Sequence, residues 1–119
     1  ELSETITSTT LKVSNSDAAW IVIIEDERIN LHSIIGLGII EANIVSEFLI
    51  KNNLLSESEV KVTDLTIFDK KYKLPKTTKS IVSAPLSVHN INKGFLFAVR
   101  KTSRIYEEED VWEFNRNEW

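Results

Sequence analysis

The chain has 119 residues, a formal net charge of −4, 42% hydrophobic and 27% charged residues, and neither cysteine nor methionine. That size and balance describe one globular domain with its own core, residues 1–119, and they leave no run of the roughly 18 apolar residues that a membrane span needs. The missing cysteines exclude disulfides, thiolate metal sites and cysteine nucleophiles, and the acidic surplus speaks against nucleic acid or an anionic membrane as partner.

The opening segment, ELSETITSTTLKV, places Leu2, Ile6 and Val13 near one side of a helix. Its threonines and serines are weak helix formers, so packing must hold it. The next segment reads as a hairpin: an apolar strand from Ala18 to Ile24, a polar turn through Asp26, Glu27 and Arg28, and a second strand from Ile29. A helix follows from Ile39 to about Asn53, with Ile40, Ile44, Phe48 and Leu49 at helical spacing. EVKVTDL alternates Val60 and Val62 with Lys61 and Thr63, as a short half-buried strand does. The stretch TIFDKKYKLPKTTK has no period and is expected to be a loop with helical turns.

Residues 80–100, SIVSAPLSVHNINKGFLFAVR, form a second hairpin with Pro85 inside its first strand. Proline cannot donate to a strand ladder, so Pro85 marks a bulge or a position where no inter-strand bond is needed. Alternation puts Val82, Ala84, Leu86 and Val88 on one face and the smaller, more polar set Ile81, Ser83, Pro85 and Ser87 on the other, as a cavity wall would be. The closing YEEEDVWEFNRNEW reads as a helix, with Glu107 to Asp110 matching its positive end. Mostly hairpin connections give an antiparallel sheet. Strands as apolar as AAWIVII and GFLFAV need helices on both faces, the terminal pair on one and the middle helix and long loop on the other.

A serine before an apolar pair, then Ala84-Pro85-Leu86, a polar turn, Gly94 with apolar residues after it, and an aromatic plus acidic cluster ending in Asp110 together resemble the C-terminal half of a GAF domain. Ala18 to Ile24 with Glu25-Asp26, the second strand ending near Gly36, and VKVTD match the first half in order and spacing. The resemblance implies an α+β, PAS-related fold: a five- or six-stranded antiparallel sheet with a ligand pocket between the sheet and the middle helix and loop. A PAS-like or profilin-like domain is the other architecture compatible with these segments. The family's members commonly serve as sensory or dimerising modules in histidine kinases, transcription factors and nucleotide-signalling enzymes. Covalent bilin attachment and free methionine sulfoxide reduction both use cysteines in the family, so neither is expected, and the lysine-bearing motif of its cyclic-nucleotide-binding members is not found.

Candidate pocket residues are Trp20, Ile44, Phe48, Asp64, Phe68, Tyr72, Ser83 and Ser87. Trp20, Ile44 and Phe48 would be walls, although residues at such spacing are equally core. Phe68 and Tyr72, with Leu74, would fold inward as a lid. Ser83 and Ser87 would be hydrogen-bonding wall residues or small sheet-packing ones, and no G-x-S-x-G elbow makes either a nucleophile. Asp64 either meets the ligand or caps the turn after its strand.

Lys70, Lys71, Lys73, Lys76 and Lys79 could receive an anion or simply solvate a loop. His32 and His89 have no metal-binding neighbours in sequence, so neither metal nor haem is expected, and no cofactor. The carboxylates sit in a turn and a helix start rather than as an acid–base pair, so catalysis is not expected. The expectation is a cytoplasmic regulatory domain, part of a longer protein, that binds a small molecule, with anions among the candidates. Leu2, Ile6, Val111, Trp112 and Trp119 would pack within the subunit or form a homodimer contact. A domain that only dimerises, with its pocket collapsed, is the alternative.

Overall fold

The computed structural model describes residues 2–13, 15–68, 74–75, 78–89, 91–102, 106–107 and 110. Helix α1 (Leu2–Val13) leads into strands β1 (Ala18–Glu25) and β2 (Arg28–Ile35). Helix α2 (Ile39–Lys51) follows, then the short strand β3 (Lys61–Asp64), a 3₁₀ turn at Leu65–Phe68, and strands β4 (Ser80–Val88) and β5 (Ile91–Arg100). The five strands form one antiparallel sheet in the order β2-β1-β5-β4-β3. Both hairpins fall where the sequence puts them, and the unpatterned loop begins with the helical turn expected of it. Of the C-terminal helix, Asp110 is helical and residues 111–119 lie outside the described set.

The sheet is covered on both faces. On one, Trp20 and Val22 of β1, Phe95, Phe97 and Val99 of β5, and Ile81 of β4 pack against Ala42, Val45, Phe48 and Leu49 of α2, with Leu65 and Leu74 beside them. On the other, Ala19, Ile21, Val82, Ala84, Leu96 and Ala98 pack with Tyr106, and Ile6 and Leu11 of α1 lie against them. Each fully buried large apolar side chain is worth about 1.5–3 kcal/mol. That gain accounts for central strands with no polar side. Tyr106 on the α1 face places the start of the C-terminal segment on the same side as the N-terminal helix, as expected.

Local geometry has local causes. The β1–β2 turn puts Asp26 at φ 49° and Glu27 at φ 65° across the pair Glu25–Arg28, the left-handed conformation of a two-residue hairpin turn. Ala19 and Ile21 oppose Ile35 and His32, so β2 carries an extra residue there, and Ser33 absorbs it at φ 52°. Helix α2 stops because Asn53 turns left-handed at φ 53°, with the Leu54 amide donating to the Leu49 carbonyl and the Asn53 amide to that of Ile50.

The phase of α2 differs from the sequence expectation. Ile40 and Ile44 lie on the outer side of α2, 74% and 40% exposed, while Ala42, Val45, Ser46, Phe48 and Leu49 face the sheet. In α1 the fully buried positions among the described side chains are Thr7 and Thr10, beside the partly buried Ile6 and Leu11. The Thr10 hydroxyl donates to the Ile6 carbonyl, so its polar atom is satisfied within its own helix and the side chain can be buried.

Candidate functional site

The α2 face is built around Trp20. Its indole N–H donates to Ser46 Oγ at 2.8 Å, and Ser46 donates in turn to the Ala42 carbonyl at 2.7 Å. A small polar residue on the buried side of α2 therefore satisfies the one polar atom of the largest side chain in β1. The Trp20 ring lies 5.3 Å from that of Phe97, centroid to centroid. Trp20 is thus a core residue joining sheet to helix.

Phe48 and Phe68 meet edge to face at 5.2 Å, so the 3₁₀ turn is fastened to α2 as a lid-like contact would be. Leu65 and Leu74 are buried beside them. Asp64 accepts from both the amide and the hydroxyl of Thr66, at 3.0 and 2.6 Å, and so caps the turn. Ser83 is buried on β4 with its hydroxyl 3.4 Å from the Lys61 carbonyl on β3. Ser87 is exposed near the end of β4, and Ile44 is turned outward. Tyr72 lies outside the described residues, as do Lys70, Lys71, Lys73 and Lys76. The structure thus brings Trp20, Phe48 and Phe68 to one layer and separates Ile44 and Ser87 from it.

Between the end of α2, the loop that follows it, and strands β1 and β5 lies a half-open recess of about 170 Å³. Ile24, Leu49, Ile50, Leu55 and Phe95 form its apolar wall, with Asn53 and Glu57 as its polar groups. A space of this size admits one small molecule rather than a drug-sized one. Sequence reading missed it because its walls come from four separate segments. The left-handed Asn53 that ends α2 is the only local cue.

The opposite face holds a polar cluster, also unanticipated. Arg100 closes β5 and is 2% exposed. Its Nη2 lies 3.1 Å from Asp110 Oδ2, its Nε donates to the Asn15 carbonyl at 3.0 Å, and its guanidinium sits 4.1 Å from the Tyr106 ring centroid. The Tyr106 and Ser16 hydroxyls share a hydrogen bond. Burial pushes the Tyr106 hydroxyl well above the usual phenol range, and the Ser16 bond opposes that only in part. Ser80, paired with Arg100 across β4 and β5, is buried, and its hydroxyl has no partner among the described residues. Among those residues, no three His, Cys, Asp or Glu side chains converge as metal ligands would, and no helix is long and apolar enough to cross a membrane.

No protein-family model matches the sequence, and no curated protein resembles it by sequence. Solved structures do resemble it in fold. A domain of a two-component sensor histidine kinase from Sinorhizobium meliloti superposes with a TM-score of 0.73 at 13% identity, over 95% of this chain and 80% of that one. The GAF domain of an Acinetobacter phosphoenolpyruvate-protein phosphotransferase does so at 0.65 and 11%, over 93% and 72%. A type II free methionine-R-sulfoxide reductase from Thermoplasma acidophilum does so at 0.63 and 13%, over 98% and 89%. With the strand order, the helices on both faces and these superpositions together, the chain has the α+β fold of a GAF domain.

Proposed function

We propose that the chain is a non-catalytic sensory or regulatory domain, which takes a small ligand on the α2 face of its sheet and passes the bound state to an output domain through its terminal segments. The observation that carries this reading is the division of labour between faces. The recess and the Phe48–Phe68 contact belong to one side, and α1 and Tyr106 pack on the other. Ligand contacts that favour one packing of α2 against the sheet would shift the far side by only about 1–3 kcal/mol, which is enough for regulation.

Fold likeness to a domain of a sensor histidine kinase supports a regulatory role of this kind; a cytoplasmic setting, a histidine kinase or transcription regulator as the parent protein, and homodimerisation through the terminal helices are parts of the same proposal. Likeness to a reductase does not extend to its chemistry here, because the chain has no cysteine and no acid–base pair in the recess. The second reading, a ligand-free dimerisation or scaffold domain, is favoured by the packing of Phe48, Phe68, Leu65 and Leu74 into the space beneath the lid.

A thermal-shift screen of metabolites, nucleotides and small anions decides between them. A ligand at about 100 times its dissociation constant stabilises the fold by about 2.7 kcal/mol. The sensory reading expects a hit whose shift disappears in Leu55→Trp, which fills the recess. No hit across the screen, together with concentration-dependent dimerisation in sedimentation, overturns it in favour of the scaffold.

A further inference from the structure

We propose that the recess at the C-terminal end of α2 selects a small organic cation, an ammonium group carried on an apolar body, over an anion or a neutral molecule of the same shape. The inference rests on the sensory reading, whose ligand it narrows to a chemical class.

The recess is apolar at its base and polar at its mouth. Leu49 and Phe95 are buried, Ile24, Ile50 and Leu55 are half-buried, and Asn53 and Glu57 are exposed. Phe95 is steadied by stacking on Phe97, with 6.1 Å between ring centroids. The volume of about 170 Å³ is close to that of an apolar cavity of about 150 Å³, which admits benzene. A body of that size fits whole while its polar end stays at the mouth.

Three features make the mouth negative. Glu57 is the one charged side chain in the lining, and no described cation pairs with it. The Ser56 hydroxyl accepts from the Ser58 and Glu59 amides at 3.3 and 3.2 Å, a tight turn that fixes the backbone around Glu57. Helix α2 ends at the recess, and the last carbonyls of a helix carry the negative end of its dipole, which favours a cation within about one turn. An adjoining depression shares Ile24 with the recess and adds Glu25 and Asp26, against Lys93 as its one cation. Lys51, in the last turn of α2, lines neither space.

The chemistry suits an organic cation rather than a metal ion. A metal ion needs several oxygen or nitrogen ligands, and among the described residues no three His, Cys, Asp or Glu side chains converge. An ammonium at a half-open mouth keeps water on its outer side, so it meets Glu57 without the cost of burying a charge, while its body is removed from water.

Amide NMR of the whole, isotope-labelled chain, titrated at neutral pH and low salt with benzylamine, benzoate and benzyl alcohol, tests this. Benzylamine is expected to move the amides of residues 24, 49–57 and 95 and to bind on the order of tenfold more tightly than benzoate. Glu57→Gln, on an exposed loop, is expected to weaken benzylamine about two- to fivefold and to leave benzyl alcohol unchanged. Leu55→Trp, which fills the recess, should abolish the shifts. If benzoate or benzyl alcohol binds there as tightly as benzylamine, or Glu57→Gln leaves benzylamine unaffected, the cation preference is overturned and the recess stands as a site. If none of the three moves those amides, or the shifts persist in Leu55→Trp, the recess itself is overturned and the sensory reading loses its pocket.

Discussion

At Gly94 an added Cβ would lie 1.9 Å from the Val22 carbonyl oxygen, because β5 presses against β1 there with no room for a side chain. At Gly38, ahead of α2, the nearest atom would be the tip of the Glu41 side chain at 3.2 Å, and the backbone is extended at φ −73° and ψ 153°. The two substitutions should therefore have opposite signs. Gly94→Ala must push two backbones apart and is expected to cost at least about 3 kcal/mol or to prevent folding. Gly38→Ser supplies a hydroxyl that can accept from the first-turn amides of α2 and restricts the unfolded chain, for a gain of up to about 1 kcal/mol. Urea denaturation of both variants measures the difference. Gly94 was legible in the sequence as a landmark of the second hairpin. Arg100 was not, since its counter-ion lies ten residues further on and nothing in the intervening polar stretch marks the pair.

At the level of elements, the order of strands and helices could be read from periodicity, but the phase of α2 could not. Eight of its thirteen residues are apolar: Ile39, Ile40, Ala42, Ile44, Val45, Phe48, Leu49 and Ile50. A helix that is apolar on nearly every side has no stripe to point inward. What decides is fit: Ala42 and Ser46 are small enough to let the helix approach Trp20, and Ser46 is the partner that the indole needs. Ile40 and Ile44 are left outside as a consequence. Replacing both with Gln is expected to change stability by no more than about 0.5 kcal/mol in urea denaturation. Ser46→Ala, which removes only the hydroxyl, is expected to cost about 1–3 kcal/mol by stranding the Trp20 N–H. The opposite ranking would mean that α2 is rotated from the phase described.

Over the whole molecule, the two-faced sheet is the feature that the sequence announced most clearly, since AAWIVII and GFLFAV are stable only if water is kept from both sides. The candidate site was less legible. A recess assembled from Ile24, Leu49, Leu55 and Phe95 has no contiguous signature, whereas Trp20 and Ile44 looked like walls only because their apolar character was visible and their neighbours were not. The opposite face makes a prediction about the fold as a unit. Tyr106 is held neutral by burial, which raises its hydroxyl well above the ordinary phenol range in the folded state. A group of this kind contributes stability that is fully present below its unfolded pKa and is lost as pH rises beyond it. Alkaline unfolding monitored by circular dichroism should therefore steepen above about pH 10, the ordinary phenol pKa. Tyr106→Phe should lack that component while losing some stability at neutral pH through the Ser16 bond.

Strand β3 pairs with β4 only from Ser80 to Ser83, so the rest of β4 has no neighbour on that side among the described residues. Pro85 stands in this uncovered stretch, two residues past the last pair. A bare strand rim is a template on which a foreign strand can be added, and a residue without an amide hydrogen interrupts it. The proline is therefore expected to act as a gatekeeper against fibrillar self-association. Pro85→Val should leave the monomer folded yet shorten the lag before thioflavin-positive aggregates form.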